Sequence, residues 1–250
     1  MTSPDQHDRN SAAIISDLEQ YFIDISIRCP YELPHTATYH QALFHSLNPK
    51  TMGDFLGRGY RRNGNCVYAM HCRTCRSCVP IRLLPARFRP NRNQRRVLKK
   101  NSDVSVGIAP LSMSEENLEL LDRFLRDRFP ATRNSAEEYY SGFFLSTITR
   151  CFEIRYRVAD TLMGVAVVDA DDCWLNAVYF FFDPRRSRRS PGTFNILYLI
   201  DFCRRNGFEY LYLGYQIEEV GAMNYKARFK PHQLLVNGTW KASADRSHGS

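Results

Sequence analysis

Three β-rich runs stand almost back to back in the second half of the chain, at Phe152–Val158, Met163–Val168 and Trp174–Phe182. Val, Ile and aromatic residues at this density, separated by gaps too short for a helix, specify neighbouring strands. Asp169–Asp172 supplies the expected polar turn between the last two. Upstream, Val104-Ser105-Val106-Gly107-Ile108 alternates as a strand does. Ser114-Glu115-Glu116 opens a helix carrying Leu118, Leu121 and Leu125, and a second helix follows Asn134-Ser135 with Tyr139, Phe143 and Phe144. Downstream, a helix over Thr193–Arg205 stops at Asn206-Gly207. Phe194, Ile196, Leu197, Leu199, Ile200 and Phe202 surround most of it, which predicts burial. Tyr210–Leu213 reads as a strand, Ala222–Phe229 as a short helix and Gln233–Val236 as a last strand. The order is β-α-α-β-β-β-α-β-α-β.

That order matches the N-acetyltransferase-like (GNAT) fold, an α+β architecture that splays two neighbouring strands and holds an acyl donor in the gap. Residues 103–240 are therefore expected to form a GNAT-like transfer domain. Residues 1–102 are expected to form a small Cys-rich α+β unit that binds a metal or cluster. In it a helical pattern at Ile14, Ile15, Leu18, Tyr21 and Phe22 precedes a stretch rich in Cys, Gly, Pro and Arg. Short apolar runs punctuate that stretch at Val67–Met70 and Ile81–Leu84. Residues 85–101 read as the boundary, residues 1–12 as a frayed end and 241–250 as a disordered tail.

The chain has 250 residues, with 34 Lys plus Arg against 26 Asp plus Glu, a formal net charge of +8. That excess favours a polyanionic partner. No apolar run is long enough to span a bilayer, and Met1–Asp8 lacks the basic start and apolar core of a secretory signal. The expectation is a cytoplasmic protein without a membrane partner. Its eight cysteines are then thiols or metal ligands and not disulfides.

Four constellations carry candidate chemistry. Cys72, Cys75 and Cys78 are spaced to converge on one zinc ion or iron–sulfur cluster. Cys29 leads as a fourth ligand, with Cys66 behind it; the plainer reading is a set of packed thiols. The basic stretch Arg87, Arg89, Arg92, Arg95, Arg96, Lys99 and Lys100 is interleaved with Phe88, Pro90, Asn91 and Gln94. It suits RNA phosphates and bases, or is a solvated basic face. Asp183–Thr193, with Arg185, Arg186, Arg188, Arg189 and Gly192, leads from a strand into a helix and suits an anion, or is a cationic loop. Finally, Tyr212–Tyr215 and Met223–Phe229 bring an amide, phenols and two cations to one strand end. Such a group holds a carboxylate and lines a reaction centre, or forms an aromatic core edge.

These residues resemble a known family. Cys72-Arg-Thr-Cys75-Arg-Ser-Cys78-Val-Pro-Ile-Arg82, Phe88-Arg-Pro-Asn-Arg-Asn-Gln94-Arg95-Arg96, Tyr210-Leu-Tyr-Leu-Gly-Tyr215 and Asn224-Tyr-Lys-Ala-Arg-Phe229 are similar to the aminoacyl-tRNA–protein transferases. More narrowly, they resemble the bacterial aspartate/glutamate leucyltransferases, from about Cys29 to Trp240. The resemblance implies transfer of leucine from leucyl-tRNA to a protein beginning with Asp or Glu, which marks the acceptor for degradation. Eukaryotic relatives transfer arginine, and in them an N-terminal Cys motif and a later Cys pair are linked to an iron–sulfur cluster. Cys29 and Cys75 stand at the corresponding places, and Glu32 stands where the second cysteine of that motif would be. The chain departs from its bacterial relatives at Glu32–His35 and at Gln216 and Glu218.

The donor ester is already activated, so the transfer requires no cofactor. A neutral amine attacks directly, aided by alignment and by donors to the oxyanion. Arg82, Lys226 and Arg228 are the expected partners of the acceptor carboxylate, and Tyr215, Asn224 and Tyr225 the expected catalytic groups. The two basic stretches, with Gly192, are the expected tRNA contacts. Competing readings are an arginyl-transferring enzyme, an acyl-CoA-dependent N-acetyltransferase using the Arg188–Gly192 loop, and a metal-stapled RNA-binding module without activity.

Overall fold

The computed structural model describes residues 14–130 and 134–243. Residues 1–12, expected to fray, lie outside the described residues. Two sheets organise the chain. A four-stranded antiparallel sheet runs in the order β1-β2-β4-β3, from Ile23–Arg28, Thr36–Leu43, Cys66–Met70 and Arg61–Asn63. An eight-stranded sheet runs in the order β12-β11-β5-β10-β9-β8-β7-β6. Its strands are β5 (Val79–Leu83), β6 (Val104–Ala109), β7 (Arg150–Val158), β8 (Thr161–Ala170), β9 (Trp174–Phe182), β10 (Tyr210–Gln216), β11 (His232–Val236) and β12 (Thr239–Ala242). Mixed α+β structure is thus as expected.

The large sheet is covered on both faces. Along β8, Val165 and Val167 pack with Leu120, Leu121, Phe124 and Tyr140 of the helices Glu115–Arg128 and Ala136–Phe143. The alternate residues Ala166 and Val168 pack with the helix Pro191–Asn206 on the other face. Burial on two sides explains why β8 is apolar almost throughout. The helices start and stop where the side chains dictate. Ser135 and Glu138 form a capping box, as do Asn91 and Gln94 for the helix Arg92–Lys100. Gly207, at φ 74°, ends the helix Pro191–Asn206.

Residue 102 does not divide the two sheets, because β5 precedes it and lies inside the large sheet between β11 and β10. The stretch 85–101 holds a 3-10 turn at Pro85–Arg87 and the helix Arg92–Lys100. Arg204, on the helix Pro191–Asn206, donates to the carbonyls of Pro85 and Phe88 and fastens this stretch down. Lys241 and Ala242, expected to belong to a disordered tail, pair instead with Leu234 and Gln233, and 244–250 lie outside the described residues.

Asp169 corrects the sequence reading most sharply. It is not a turn residue but a buried member of β8, and it forms a bidentate ion pair with Arg62 of β3, with Nε to Oδ2 at 2.8 Å. Asn176 donates to the same carboxylate at 3.0 Å. The remaining Arg62 donors reach the carbonyls of Gly64, Phe143 and Phe144 and the Cys151 sulfur. The carbonyls of 143 and 144 close a helix C-terminus, where a cation is favoured. One guanidinium therefore ties the small sheet, the large sheet and a covering helix.

Removing one partner leaves a buried charge unanswered. Asp169→Asn is expected to lower stability by about 3–5 kcal/mol, measured by urea unfolding. The double variant Arg62→Leu/Asp169→Leu is expected to recover much of that loss.

Candidate active site

The strands β9 and β10 pair in parallel for only three residues: Trp174 with Tyr210, Leu175 with Leu211 and Asn176 with Tyr212. Beyond that β9 continues to Phe182 and β10 to Gln216 without pairing, so the sheet opens. A register shift in the β10–β5 ladder falls between Tyr212 and Tyr215, and Gly214 within it has φ +83°. This bulge redirects Tyr215 after the regular alternation of Tyr210 to Leu213.

The Arg61 guanidinium occupies the opening. It donates to the Ala177 carbonyl of β9 at 3.3 Å. On the β10 side, a Cβ on Gly214 would stand 3.2 Å from its Nη2. Arg61 is 8% exposed and has no carboxylate within ion-pair distance among the described residues. Burial lowers its pKa, while the nearby phenols of Tyr68, Tyr215 and Tyr31, with Asp169, act against that.

Lys226 lies in the 3-10 turn Tyr225–Arg228, which follows the short helix Gly221–Asn224. Its ammonium donates to the Tyr215 carbonyl at 2.8 Å and contacts Met223 Sδ at 3.7 Å. It too has no carboxylate partner among the described residues. Burial, and then the Arg61 charge, lower its pKa to about 7. The Tyr215 hydroxyl is buried, with the Met70 backbone N–H near its oxygen and no acceptor for its proton among the described residues. Unanswered groups of this kind concentrate where a ligand completes the set.

Tyr225 and Gly192 come together: a Cβ on Gly192 would stand 3.7 Å from the Tyr225 hydroxyl. The start of the helix Pro191–Asn206 is thus beside the 224–229 turn. Burial raises the Tyr225 phenol to about 12. Asn224 donates to the Glu218 carbonyl at 3.1 Å and holds the turn itself.

The comparisons with known proteins decide the family. Residues 116–236 match the model described as arginine-tRNA-protein transferase, C terminus, and residues 27–96 match its N-terminus counterpart. An aspartate/glutamate leucyltransferase of Pseudomonas putida strain KT2440 is 37% identical over 222 residues, 83% of this chain and 93% of that protein. The enzyme of that name from Thiobacillus denitrificans is 35% identical over 227 residues, 89% of this chain and 94% of that protein. The chain belongs to the aspartate/glutamate leucyltransferase family. Among solved structures, the DUF2156 C-terminal domain from Agrobacterium fabrum aligns with a TM-score of 0.44 and 14% identity, over 76% of this chain and 60% of that chain.

Within this leucyltransferase-family chain the two basic stretches adjoin. Lys100 Nζ donates to the Arg188 carbonyl at 2.6 Å, and Asn101 Nδ2 to the Arg189 carbonyl at 2.9 Å. Gln94 carries the contact on to the Arg228 carbonyl at 3.2 Å. Arg87, Arg89, Arg92, Arg95, Arg96, Lys99 and Lys100 are exposed. Arg188 is also exposed and Arg186 half-buried. Two members of the second stretch are already neutralised: Arg185 pairs with Asp183 at 2.8 Å and Arg189 with Asp103 at 2.7 Å.

Arg82 departs from the expected acceptor set. Its guanidinium lies between the rings of Tyr210 and Trp240, at 4.1 and 4.2 Å. It donates to Gln233 at 2.8 Å and to the Tyr212 hydroxyl at 3.3 Å. With both faces covered, Arg82 braces β10 against β5, β11 and β12. The Arg228 side chain is exposed, and its carbonyl is the part the fold uses.

The cysteines gather without closing. Cys29 and Cys72 are buried together and Cys75 packs on them. Burial, then Cys72, Cys29 and Cys75, push the Cys78 thiol up to about 12. No three of these sulfurs lie within 4.8 Å of one another. Cys66 sits on β4, outside this group.

Sequence reading missed Arg61. The signal was the turn Gly64-Asn65, which makes Arg61-Arg62-Asn63 a strand end and not a loop. Gly214→Ala places a side chain at φ +83° against Nη2 of Arg61. It is expected to cost about 1–2 kcal/mol in a denaturant titration and to raise KM for the acceptor by displacing Arg61.

Proposed function

We propose that this chain transfers leucine from leucyl-tRNA to the α-amino group of proteins beginning with Asp or Glu, marking them for degradation. The work is cytoplasmic. The names of its relatives support the activity, and one structural observation supports the site. Two cations, the buried Arg61 and the half-buried Lys226, stand at the opening between β9 and β10 with no carboxylate among the described residues to answer them. The acceptor's side-chain carboxylate is the missing partner. The splayed pair is the feature a GNAT-like transfer domain would use for its donor, here the aminoacyl end of tRNA. The transfer centre then belongs to residues 103–240, completed by Arg61 and β5 from residues 1–102.

The chemistry needs no oxidant and no covalent enzyme intermediate. The neutral acceptor amine attacks the ester carbonyl, the bond to the terminal ribose oxygen breaks, and the amine's proton is lost as that oxygen gains one. Arg61 and Lys226 fix the acceptor's first side chain. The Tyr215 hydroxyl, whose proton has no acceptor among the described residues, donates to the developing oxyanion. Tyr225, beside Gly192, orients the donor end, and Asn224 holds the turn that carries Lys226. Cys29, Cys72, Cys75 and Cys78 are the residues that would hold zinc or an iron–sulfur cluster. A cation there would relieve the mutual repulsion of the thiolates and staple the start of β5 to the small sheet.

The decisive experiment incubates the full chain with a Glu-starting peptide and charged tRNA and follows the peptide mass. A leucine-sized gain is expected; an arginine-sized gain would reassign the donor, an acetyl gain from acetyl-CoA the reaction, and no gain would refute transfer.

Lys226→Met is expected to separate binding from stability. Losing a charge-assisted contact worth about 1.5–3 kcal/mol raises KM for the acceptor by about 10- to 150-fold. The same variant is expected to raise Tm. In the folded state Lys226 titrates near 7, while in the unfolded chain it stays protonated to about 10.4. Unfolding therefore takes up a proton between these limits, and wild-type stability falls as pH drops through that window. In the free enzyme the same titration gives kcat/KM for the acceptor an alkaline decline above about 7, which Lys226→Arg is expected to shift upward.

The exposed face of the helix Arg92–Lys100 is proposed to hold the tRNA backbone. Arg92→Ala/Arg95→Ala is expected to reduce the slope of log affinity against log salt by about 1 for each phosphate no longer held. Arg185→Ala/Arg189→Ala is expected to change it less, because those charges are already paired. Filter binding across a salt series checks both.

A further inference from the structure

A second cluster lies on the small sheet and takes no part in the transfer site. Asp24 of β1 and His40 of β2 face each other across the antiparallel ladder. Asp24 Oδ1 and His40 Nδ1 are 2.8 Å apart. His71 directly follows β4, the neighbour of β2 on its other side, and its backbone nitrogen donates to the Thr38 carbonyl at 2.9 Å. That bond fixes where the His71 ring emerges. The ring lies on that of His40, with centroids 4.5 Å apart and planes 14° apart. Phe22 stacks on His40 as well, at 4.9 Å. One carboxylate oxygen and one nitrogen from each imidazole lie within 4.8 Å of one another. Among the described residues no other three metal-capable side chains come so close, the four thiols included.

We propose that Asp24, His40 and His71 form a binding site for a divalent first-row metal ion, zinc foremost. Two imidazoles and a carboxylate are a donor set suited to such ions, and three protein ligands leave room for water in the coordination shell. The ligands come from three separate places in the chain but from one side of one sheet, so the backbone already brings them together. Among the described residues no lysine or arginine pairs with Asp24, whose one ion-pair partner there is His40. The parallel rings hold their nitrogens side by side. His71 is exposed, and among the described residues its ring stacks only on His40, so it is the ligand freest to turn toward an ion. His40 stays held by Asp24 and Phe22. Asp24 Oδ1 and His40 Nδ1, 2.8 Å apart, are close enough for one ion to bind both. The bound ion would tie β1 and β2 to the residue that opens the 72–78 loop, and through it to β5.

The test must see imidazoles and ignore thiols. The full chain, labelled with nitrogen-15 in its histidines, is titrated with zinc chloride, and the ring nitrogens are followed by NMR. The signals of His40 and His71, assigned through His40→Gln and His71→Gln, are expected to move together along one saturating curve. His71→Gln is expected to abolish the response of His40, and Asp24→Asn to weaken zinc binding by about tenfold or more. Undiminished leucyl transfer by His71→Gln shows that this exposed substitution leaves the fold intact. Static His40 and His71 signals at millimolar zinc would overturn the proposal, as would a His40 response that survives in His71→Gln.

Discussion

The buried pair of Arg62 and Asp169 is the joint on which the arrangement of the two sheets depends. Its value is positional more than energetic. A well-solvated chain gives up hydration at both charges to form it, and apolar residues of similar volume would serve stability about as well. What apolar residues would not do is fix direction. The guanidinium meets a bidentate carboxylate on β8, two carbonyls at the end of the helix Ala136–Phe143, the Gly64 carbonyl and the Cys151 sulfur. Each contact constrains a different element. With Arg62 held in this way, β3 has one seat against the large sheet, and the preceding residue has one place to go.

That preceding residue is Arg61, and the contrast between the neighbours carries the functional argument. Arg62 has every donor group answered; Arg61 has one carbonyl and a surround of phenols. Phenols soften the cost of burying a cation without cancelling its charge. Lys226, across the opening, is treated alike, with a carbonyl and a thioether. A site that answered these cations with its own carboxylate would be more stable and would have nothing left for an acceptor. Leaving them unanswered makes an acidic first residue the best available partner, and makes an amide or apolar one costly, because it leaves the charges unpaired. In the proposed reading, selectivity for Asp and Glu thus comes from a deliberate deficit inside the fold.

The large sheet was legible because its strands obey strong local rules. The runs at 152–182 are too apolar and too closely spaced for anything else, and the stop at Gly207 follows from its left-handed backbone. The small sheet was not legible. β1 alternates Ile with Asp, Ser and Arg but stays exposed on its edge, so no buried face announces it. Pairing of β5 inside the large sheet depends on contacts far along the chain, which a local pattern does not contain. Asp169 and Arg61 were misread or missed for one physical reason. Charged residues beside turns are usually solvated, and only the approach of another sheet turns them into buried partners. The Asn224–Phe229 motif stood out by its residues and by resemblance, yet its partner Arg61 lies more than 160 positions away. The sequence shows a motif's residues, not the cavity they share.

The helix Arg92–Lys100 explains how the proposed nucleic-acid face and the reaction centre stay in register. Its Gln94 is buried and does two jobs: the side-chain oxygen accepts from Asn91 to close the capping box, and the amide nitrogen donates to the Arg228 carbonyl of the turn that carries Lys226. At the other end Lys100 and Asn101 hold the carbonyls of Arg188 and Arg189, just ahead of the helix that begins beside Tyr225. The backbone of both basic segments is therefore clamped while most of their charged ends point to solvent. A polyanion gripping those ends would pull on a rigid frame, and the frame terminates at the two elements that flank the opening between β9 and β10. Precise placement of a long donor then needs no flexible arm, because the surface that captures it and the groups that act on it share the same few hydrogen bonds.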